Sequence, residues 1–527
     1  MTYSTLNASA ATLTKNRTED SISPFSGMCA TCVDGCIGMC EIGKSAYRGP
    51  EMIYPQPFGI ITTASAKTYP VDLSHFTILG RATGAWGVEA DSDKALFPNV
   101  NLEVHWGHKP GLRAKLPFGI AALGSTNIAK NNWEGLAAGA AITGTCLTVG
   151  ENVCGMDVDS VLENGRLISS NELAWRVQTF REWQQDGWGD IIIQANVEDT
   201  KLGVQEYAIK KLGVKTVELK WGQGAKDIGG EVKIRDLEKA RLLKRRGYVV
   251  LPDPEDPVVV EAFERGSFRE FERHSRIGMA NRDGFMRRVE ELRKLGAKWV
   301  TLKTGAYRPA DLARAVKWSS DAEIDLLTVD AAGGGTGMSP WRMMNEWGVP
   351  GIELHSLLRE YCDRLAKVKA YIPPIALAGG FTFEDQIFKG FALAAPYVKM
   401  IAWARSPLAA AMVAKNIGRL VEENSLPVYI ERFGTTVEEI FVTAPELEDR
   451  YKDRFRKIPV GAIGIYTYYQ RVAQGLRQLM CGARKFALEY ISRDDIAALT
   501  PRAAEISGIP LVSDVDKEEA EQILKAA

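Results

Sequence analysis

From about residue 116 onward, short apolar runs of strand length alternate with amphipathic stretches of helix length. This alternation is typical of βα units that build a parallel sheet. Helical patterns, for example at 171–185, 284–296 and 384–394, lie between the apolar runs. Eight strands with right-handed crossover helices close most simply into a barrel, so we predict the α/β fold class and a (β/α)8 TIM barrel over residues 116–420. The eight predicted strands are 117–123, 141–149, 190–195, 216–221, 299–303, 324–330, 374–379 and 397–403.

The segments on either side of the predicted barrel differ from it. Residues 1–20 are polar and aperiodic, which predicts a flexible arm. Residues 21–115 are rich in Pro and Gly and are predicted to be an irregular N-terminal domain, whereas 421–527 have helical patterns and are predicted to be a helical C-terminal extension. One more strand-like run, 248–252, lies in the long gap between the fourth and fifth strands, and we assign it to an insertion above the barrel.

Composition and charge narrow the classes of partner. Lys plus Arg number 65 against 66 for Asp plus Glu, and no long block of one sign occurs, so we expect neither nucleic acid nor an anionic membrane as a partner. The basic run Lys244, Arg245 and Arg246 is interpreted as a solvated helix end, with a phosphate patch as the alternative. The N-terminus lacks an apolar signal-peptide core and no stretch of membrane-spanning length occurs, which predicts a cytoplasmic protein. The sequence leaves a homo-oligomer open.

Four of the eight cysteines form a compact cluster, Cys29, Cys32, Cys36 and Cys40. Four thiols in so short a run can wrap one inorganic cluster in the manner of the compact ferredoxin spacing, which predicts an iron–sulfur cluster of the [4Fe–4S] type. The alternative is a structural zinc site, although such sites usually separate two cysteine pairs by a longer loop. Cys146 and Cys154 follow near the second strand and are either buried inert thiols or neighbours of a bound cofactor.

The predicted strand ends carry distinctive motifs, and active-site residues of such barrels lie at these ends. The glycines of the strand-six motif allow positive φ and leave N–H groups bare, so this loop is either a cradle for a planar ring or anion or a turn without a ligand. Gly379 and Gly380 precede a helix, where backbone amides suit a phosphate. The motifs are VELKWGQGAKDIGGEV (217–232), VTLK (300–303), TVDAAGGGTGMSP (328–340) and AGG (378–380).

In this order, the four motifs resemble the FMN-dependent glutamate synthase family, and residues 493–511 resemble its C-terminus more weakly. The resemblance implies an FMN-binding barrel in which Lys220, Gln223 and Lys226 face a 2-oxo acid and the flavin edge. A lysine at such a strand end is otherwise expected to be a solvated surface residue. By the same resemblance, Lys303 lies beside the pyrimidine end of the flavin. The implied FMN contacts are Gly124, Glu151, Gln194, Lys303, Asp330, Gly334, Gly335, Gly379, Gly380, Ala402 and Arg405.

The sequence departs from the family at several points. The ends of strands one, two and eight differ, so Trp403 and Arg405 are expected in an altered pocket, where the Arg405 guanidinium can still meet a phosphate. The cysteine run that glutamate synthases carry after the eighth strand is missing, and the N-terminal cysteines are a hypothetical replacement. We also do not expect the glutaminase domain of that family, because Cys29 is internal and the 115 residues ahead of the predicted barrel are too few for it. Ammonia or an amine must then come from solution or from a separate subunit.

The resemblance therefore predicts an FMN- and iron–sulfur-dependent oxidoreductase of the glutamate synthase type, acting on CH–NH2 donors. It would reduce an imine formed from a 2-oxo acid, such as 2-oxoglutarate, and ammonia or an amine. Ferredoxin or a reductase partner would supply electrons through the cluster, since the flavin must be re-reduced. Two alternatives stay open. One is an FMN and iron–sulfur oxidoreductase that acts on a different small organic acid without amination, and the other is an electron-transfer subunit of a larger complex.

Overall fold

A computed structural model of the chain describes residues 46–47, 67, 69–108, 110–224, 231–332, 334 and 339–525. Its centre is a closed barrel of eight parallel strands. Hydrogen bonds between the last and first of these strands close the sheet, pairing Ile401 with Phe118 and Trp403 with Ile120. The predicted (β/α)8 barrel is confirmed. The strands are β1 (Phe118–Leu123), β2 (Leu147–Val149), β3 (Ile191–Ala195), β4 (Thr216–Lys220), β5 (Trp299–Thr304), β6 (Leu326–Asp330), β7 (Ile375–Ala378) and β8 (Val398–Trp403).

A helix follows each barrel strand and turns its apolar face toward the sheet. The helix starts carry local signals, because the Ser170 hydroxyl accepts from Leu173 N and the Asn281 side chain accepts from Gly284 N. The predicted strand 141–149 was too long, since its first residues belong to α1, which ends where Gly144 adopts φ 73°. The helices are α1 (Trp133–Thr143), α2 (Asn171–Trp183), α3 (Val204–Leu212), α4 (Arg282–Leu295), α5 (Pro309–Asp321), α6 (Gly351–Lys367), α7 (Glu384–Leu393) and α8 (Arg405–Glu422).

A β-hairpin closes the end of the barrel at which the strands begin, which we call the lower end. Strands Val104–Trp106 and Leu112–Ala114 pair antiparallel, and their side chains pack under an apolar layer of barrel residues. The buried Asp325 carboxylate fixes the hairpin, because it accepts from His108 N at 2.8 Å and from Val300 N at 2.8 Å. We call this apolar layer the barrel floor. It consists of Trp106, Leu112, Cys146, Ile192, Trp299, Leu326, Ala376 and Met400.

The C-terminal region packs on one side of the barrel. Its long helix α9 (Val460–Gly482) contacts α1, α7 and α8. The crossing with α8 is close, since a Cβ at Gly464 would be 2.3 Å from the Ala414 Cβ. A short strand, Ile496–Ala498, pairs antiparallel with Phe76–Ile78. The other described helices here are Val428–Glu431, Val437–Ile440, Ala444–Tyr451, Pro501–Ser507 and Lys517–Lys525.

An insertion between β4 and β5 forms a separate small layer. Strands Glu231–Ile234 and Val249–Leu251 flank Phe271–His274 in an antiparallel sheet, and helices Leu237–Arg245 and Pro257–Glu264 belong to the same insertion. The strand predicted at 248–252 is therefore present and lies in the insertion.

The remaining described elements are short. Among the described helices, none combines the length and the apolar character that crossing a bilayer requires. The short elements near the barrel are helices Asn127–Asn131, Val153–Met156, Val197–Leu202 and Trp341–Glu346, and the hairpin of Val161–Glu163 and Arg166–Ser169.

Candidate active site

Several charged and polar side chains predicted from the strand ends lie together in the upper part of the barrel. Gln194 on β3 pairs in register with Glu218 on β4, and Lys220 on β4 pairs in register with Lys303 on β5. Since alternate residues of a barrel strand point inward, Glu218 and Lys220 share the interior face of β4. The upper interior is therefore polar, in contrast to the barrel floor.

Lys220 is held by two neighbours. Its Nζ lies 2.6 Å from Glu151 Oε1 and 3.0 Å from Gln223 Oε1. Burial opposes ionisation of Glu151, but the charge and hydrogen bond of Lys220 outweigh it and lower the pKa of Glu151 to about 2. The anion that balances Lys220 is therefore Glu151.

Lys303 belongs to a second buried group. Its Nζ lies 3.0 Å from Asp330 Oδ2. Burial works against the Lys303 charge, but Asp330 and Glu218 outweigh that effect and raise its pKa. Glu218 accepts from Gln194 Nε2 at 2.7 Å, and burial raises its pKa. Lys303 is therefore cationic, and burial makes the neighbouring Glu218 easier to protonate than an exposed glutamate.

The turns after β7 and β8 form a cradle. Gly379 and Gly380 have φ of 97° and 92°, and a Cβ at Gly379 would lie 2.7 Å from Ala331 O, whereas one at Gly380 would face open space. The two turns adjoin, since the Ser406 hydroxyl donates to Phe381 O at 3.3 Å. Helix α8 begins at Arg405 without a side-chain cap. Open space, free helix amides and a guanidinium suit a phosphate group.

The end of β1 is in close contact with the turn after β2, and the last residues of β8 face in opposite directions. Gly124 and Gly150 touch so closely that a Cβ at Gly150 would lie 2.6 Å from Gly124 N, which brings the Glu151 turn against β1. Ala402 is buried and faces the barrel interior. Trp403 points the other way, because it packs on Phe118 and donates to Tyr469 OH on α9 at 2.9 Å.

Sequence reasoning missed the residues that support the Glu151 turn. Asn152 has φ 65°, and its Oδ1 accepts from Tyr248 OH, Ser275 Oγ and Asn196 Nδ2 at 3.2–3.3 Å. Its N–H donates to Asp199 Oδ2 at 2.9 Å, and burial raises the pKa of Asp199 to about 7. All four partners lie at least 44 residues away in sequence, so no local pattern could have revealed them. Glu218 could have been found, because it lies two residues before Lys220 on one strand face.

A buried arginine supports the strand-one turn in a similar way. Arg176 donates to Gly124 O at 3.0 Å and to Leu123 O at 3.3 Å, and it pairs with Glu172 at 2.7 Å. Its guanidinium also lies over the Trp133 ring, 4.6 Å from the centroid. The position of Gly124 is therefore fixed from behind by α1 and α2.

The two cysteines near strand two are buried. Cys146 belongs to the barrel floor, and burial raises its pKa to about 12. Cys154 is fully buried as well, and burial raises its pKa. Thiols in such surroundings are unreactive, which agrees with the interpretation of both as inert.

Some predicted site residues lie outside the described part of the chain. These include Lys226 and Gly335 and all four clustered cysteines, Cys29, Cys32, Cys36 and Cys40. Within the described residues, no group of three or more His, Cys, Asp or Glu side chains could hold a metal ion. The iron–sulfur cluster therefore stays a prediction.

The end of the barrel at which the strands terminate, which we call the rim, carries groups that could contact a flavin. The barrel offers a phosphate cradle at the ends of β7 and β8 and a buried cation, Lys303, on the far side of the rim. Two buried polar atoms, Gln194 Oε1 and Thr304 Oγ1, have no partner among the described residues. These features suit a planar, hydrogen-bonding cofactor with a phosphate tail.

Residues 274–413 match the family described as the conserved region in glutamate synthase. The matched range includes Lys303, Asp330, the Gly379–Gly380 turn and Arg405. The resemblance is thus confirmed over this part of the chain, and it supports an FMN-dependent oxidoreductase. Among curated protein sequences, none matches the chain.

Several solved structures have a low overall similarity to the chain. A doubly substituted flavocytochrome b2 with sulfite bound has a TM-score of 0.45 at 11% identity, over 85% of this chain and 81% of that chain. A mandelate oxidase with (S)-2-phenylpropionate has a TM-score of 0.43 at 15% identity, over 80% and 86%. A protein described as a lactate oxidase of Pediococcus acidilactici has 0.41 at 14%, over 79% and 81%. Similarities this low say nothing about the substrate.

The Glu151–Lys220 pair predicts a specific pH dependence. The folded-state pKa of Glu151 is about 2 against an ordinary value of 4.5, so its ionised form stabilises the fold above pH 4.5 by about 3 kcal/mol, and this contribution is lost as the pH falls toward 2. Glu151→Gln should lower the unfolding free energy by about that amount at pH 7, and the difference from the wild type should shrink below pH 4.5. Urea unfolding of the wild type and the variant between pH 7 and pH 3 measures this difference in unfolding free energy.

The matched control is Glu290→Gln, which breaks an exposed pair with Lys294. An exposed pair of this kind contributes little, so the control should unfold like the wild type. A difference between Glu151→Gln and the wild type that is constant from pH 7 to pH 3 would contradict the assigned pair.

Proposed function

We propose that the chain is an FMN-dependent oxidoreductase of the glutamate synthase type. In this proposal it reduces an imine formed from a 2-oxo acid, such as 2-oxoglutarate, and ammonia or an amine. The main support is the convergence of Lys220, Gln223 and Glu151 at the rim of a barrel whose residues 274–413 match the conserved region of glutamate synthase. A lysine and a carboxylate side by side complement the carboxylate and the nitrogen of such an imine.

The residues proposed to hold FMN surround the rim. The phosphate would lie at the Gly379–Gly380 turn and at the start of α8 with Arg405, and the ring system would lie near Gln194 and Lys303. The FMN group supplies hydride transfer when bound. The buried ammonium of Lys303, whose pKa is raised, provides a fixed positive charge in this layer.

The chain's own groups would bind and orient the substrate. Lys220 would donate to the substrate carboxylate, and this requires its Nζ to share or exchange the contact with Glu151 Oε1. Glu151 stays ionised at neutral pH because its pKa is about 2, so its oxygens can accept an N–H from the imine or amine. Gln223, 3.0 Å from Lys220 Nζ, would keep the ammonium in place during this exchange. Orientation at a fixed distance from the cofactor is the main catalytic contribution of such a site.

The source of electrons belongs to the proposal as well. We propose that Cys29, Cys32, Cys36 and Cys40 bind an iron–sulfur cluster, because four thiolates are the donor set that such clusters use. Zinc can use the same donor set. A ferredoxin or a reductase partner would then deliver electrons through the cluster. No nucleic-acid or membrane partner is proposed.

A second candidate has one specific observation in its favour. Because Glu151 already balances Lys220, the described rim has no unpaired lysine for the second carboxylate of a dicarboxylate such as 2-oxoglutarate. This favours an FMN oxidoreductase that acts on a smaller or differently charged organic acid without amination. The screen below separates the two candidates.

The phosphate cradle leads to a prediction about cofactor binding. Gly380→Asp places a carboxylate in the open space of the turn, where it would repel the FMN phosphate. The variant should be purified with far less bound flavin, measured by absorbance after release. Gly187→Asp is the matched control, since Gly187 also has a positive φ of 75° and open space but lies below the barrel rim. Normal flavin content in Gly380→Asp would contradict the cradle.

The substrate proposal is tested by reoxidation of the reduced flavin under anaerobic conditions. With ammonia present, a 2-oxo acid should reoxidise the wild type. Lys220→Met should weaken the apparent affinity for that acid by about ten- to a hundredfold, the range expected from losing one charge-assisted contact. If no 2-oxo acid reoxidises the wild type with or without ammonia, the amination proposal fails and other organic acids become the substrates to test.

A double variant separates substrate binding from simple charge balance. Lys220→Met leaves Glu151 buried without its partner, whereas Glu151→Gln/Lys220→Met removes both charges of the pair. If Lys220 contacts the substrate, the double variant stays as weak as Lys220→Met. Recovery of the wild-type affinity in the double variant would show that Lys220 serves only to balance Glu151.

The cysteine cluster is tested by its metal content. Cys32→Ser should abolish the broad visible absorbance of an iron–sulfur cluster and leave the bound flavin in place. Cys481→Ser, a half-buried cysteine on α9, is the control and should keep both. Stoichiometric zinc without iron in the anaerobic wild type would contradict the cluster.

A further inference from the structure

A groove with a volume of about 570 Å³ lies beside the barrel rim, apart from Lys220 and Gln223. Helix Val197–Leu202 and the hairpin after β2 form one wall, and the first helix of the insertion forms the other. We call it the basic groove. Its volume is within the range of small-molecule sites, and nothing in the proposed reaction uses it.

The basic groove has an excess of positive charge. Its lining includes Lys201, Arg245, Arg246 and Arg276, but only one carboxylate, Glu198. This leaves a local surplus of positive charge in a chain whose formal net charge is −1. Such a surplus attracts anions to the groove.

Two of the four cations are committed to the fold. Arg276 Nη1 contacts both oxygens of Glu198, at 2.9 and 3.0 Å. Arg246 donates to four backbone carbonyl oxygens of the segment 155–160. Lys201 and Arg245, in contrast, are exposed and form no ion pair with any residue of the described chain. The groove therefore has two rigid guanidinium groups in its wall and two cations available to a ligand.

Apolar side chains form another part of the lining. Leu162, Leu202 and Leu242 line the groove together with the buried Tyr248. The sequence-based interpretation of the basic run as a solvated helix end holds for Lys244, which pairs with Asp253 and Glu255 at 2.6 Å on the outer side. Arg245 and Arg246 instead face the groove. The alternation of leucines and cations suits a molecule with an anionic group and an apolar part.

We propose that the basic groove binds a small organic phosphate. Lys201 and Arg245 would contact the phosphate, and the three leucines would contact the apolar part. Charge-assisted contacts from a lysine and an arginine fork are the usual means of binding such a group. This proposal does not rest on the proposed reaction.

The basic groove is also linked to the candidate active site. Tyr248 lines the groove, and its OH donates to Asn152 Oδ1 at 3.2 Å, next in sequence to Glu151. Glu198, in the groove wall, is adjacent to Asp199, which accepts from Asn152 N. A ligand in the groove would therefore lie next to Tyr248, one of the residues that support Asn152 and so the turn that carries Glu151. Binding there should change the environment of the rim, which gives the experiment a second readout.

The test is calorimetric titration of the flavin-loaded protein with ADP, phenyl phosphate, inorganic phosphate and adenosine. ADP or phenyl phosphate should bind once per chain, inorganic phosphate more weakly, and adenosine not measurably. Lys201→Glu/Arg245→Glu should weaken binding by about a hundredfold or more, since two charge-assisted contacts become repulsive. The matched control, Lys210→Glu/Lys367→Glu, reverses two exposed lysines elsewhere and should bind like the wild type.

Several results would overturn the proposal. One is that none of the three phosphates binds, and another is that the groove variant binds as tightly as the control, provided that both variants unfold at the wild-type temperature. If inorganic phosphate binds as tightly as phenyl phosphate, the leucine contacts are wrong. A shift in flavin absorbance on binding, absent from the groove variant, would support the link to the rim. The calorimetric titrations test the groove independently of the proposed function, because their results do not depend on whether the protein turns over any 2-oxo acid.

Discussion

The hydrogen bonds between β8 and β1 are the constraint on which the rest of the structure depends. Because they close the sheet, all eight strands end at one rim and point alternate side chains into a shared interior. Residues far apart in sequence, such as Glu151, Lys220 and Lys303, reach one small volume for this reason. Closure also removes the two free strand edges that an open sheet would present. The floor, the polar upper layer and the cradle follow from this arrangement.

Burial of the lysines at the rim explains why each of them is paired with a carboxylate. A single charge in such a place is costly, so each lysine in the described upper layer has a carboxylate neighbour, Glu151 for Lys220 and Asp330 for Lys303. The two described lysines of this layer are therefore each balanced by a carboxylate. Under the proposed function, recognition of a charged substrate would depend on exchange of partners within such a pair, whereas the basic groove would attract anions by its surplus charge.

The fold could be predicted from the sequence to a large extent. Strand β4 and the Gly379–Gly380 turn carry patterns in consecutive residues, and the barrel rule places all strand ends at one rim. The pairing of Lys220 could not be predicted, because Glu151 is brought to it by the close contact of Gly124 and Gly150. The supports of Asn152 come from the insertion and from the cap and helix that follow β3, so only the three-dimensional packing brings them together.

The barrel floor limits how molecules can reach the rim. Its apolar side chains and the hairpin pinned by Asp325 fill the lower end of the barrel, so the interior is a dead end. Within the described residues, a small molecule that reaches Lys220 therefore enters from the upper end of the barrel and not through the floor. Under the proposed function, an acid and an amine would have to arrive there in sequence or pass one another, and the product would block both until it departs. In the described part of the barrel, ligand entry and exit therefore take place at the rim, and no channel runs along the barrel axis through the floor.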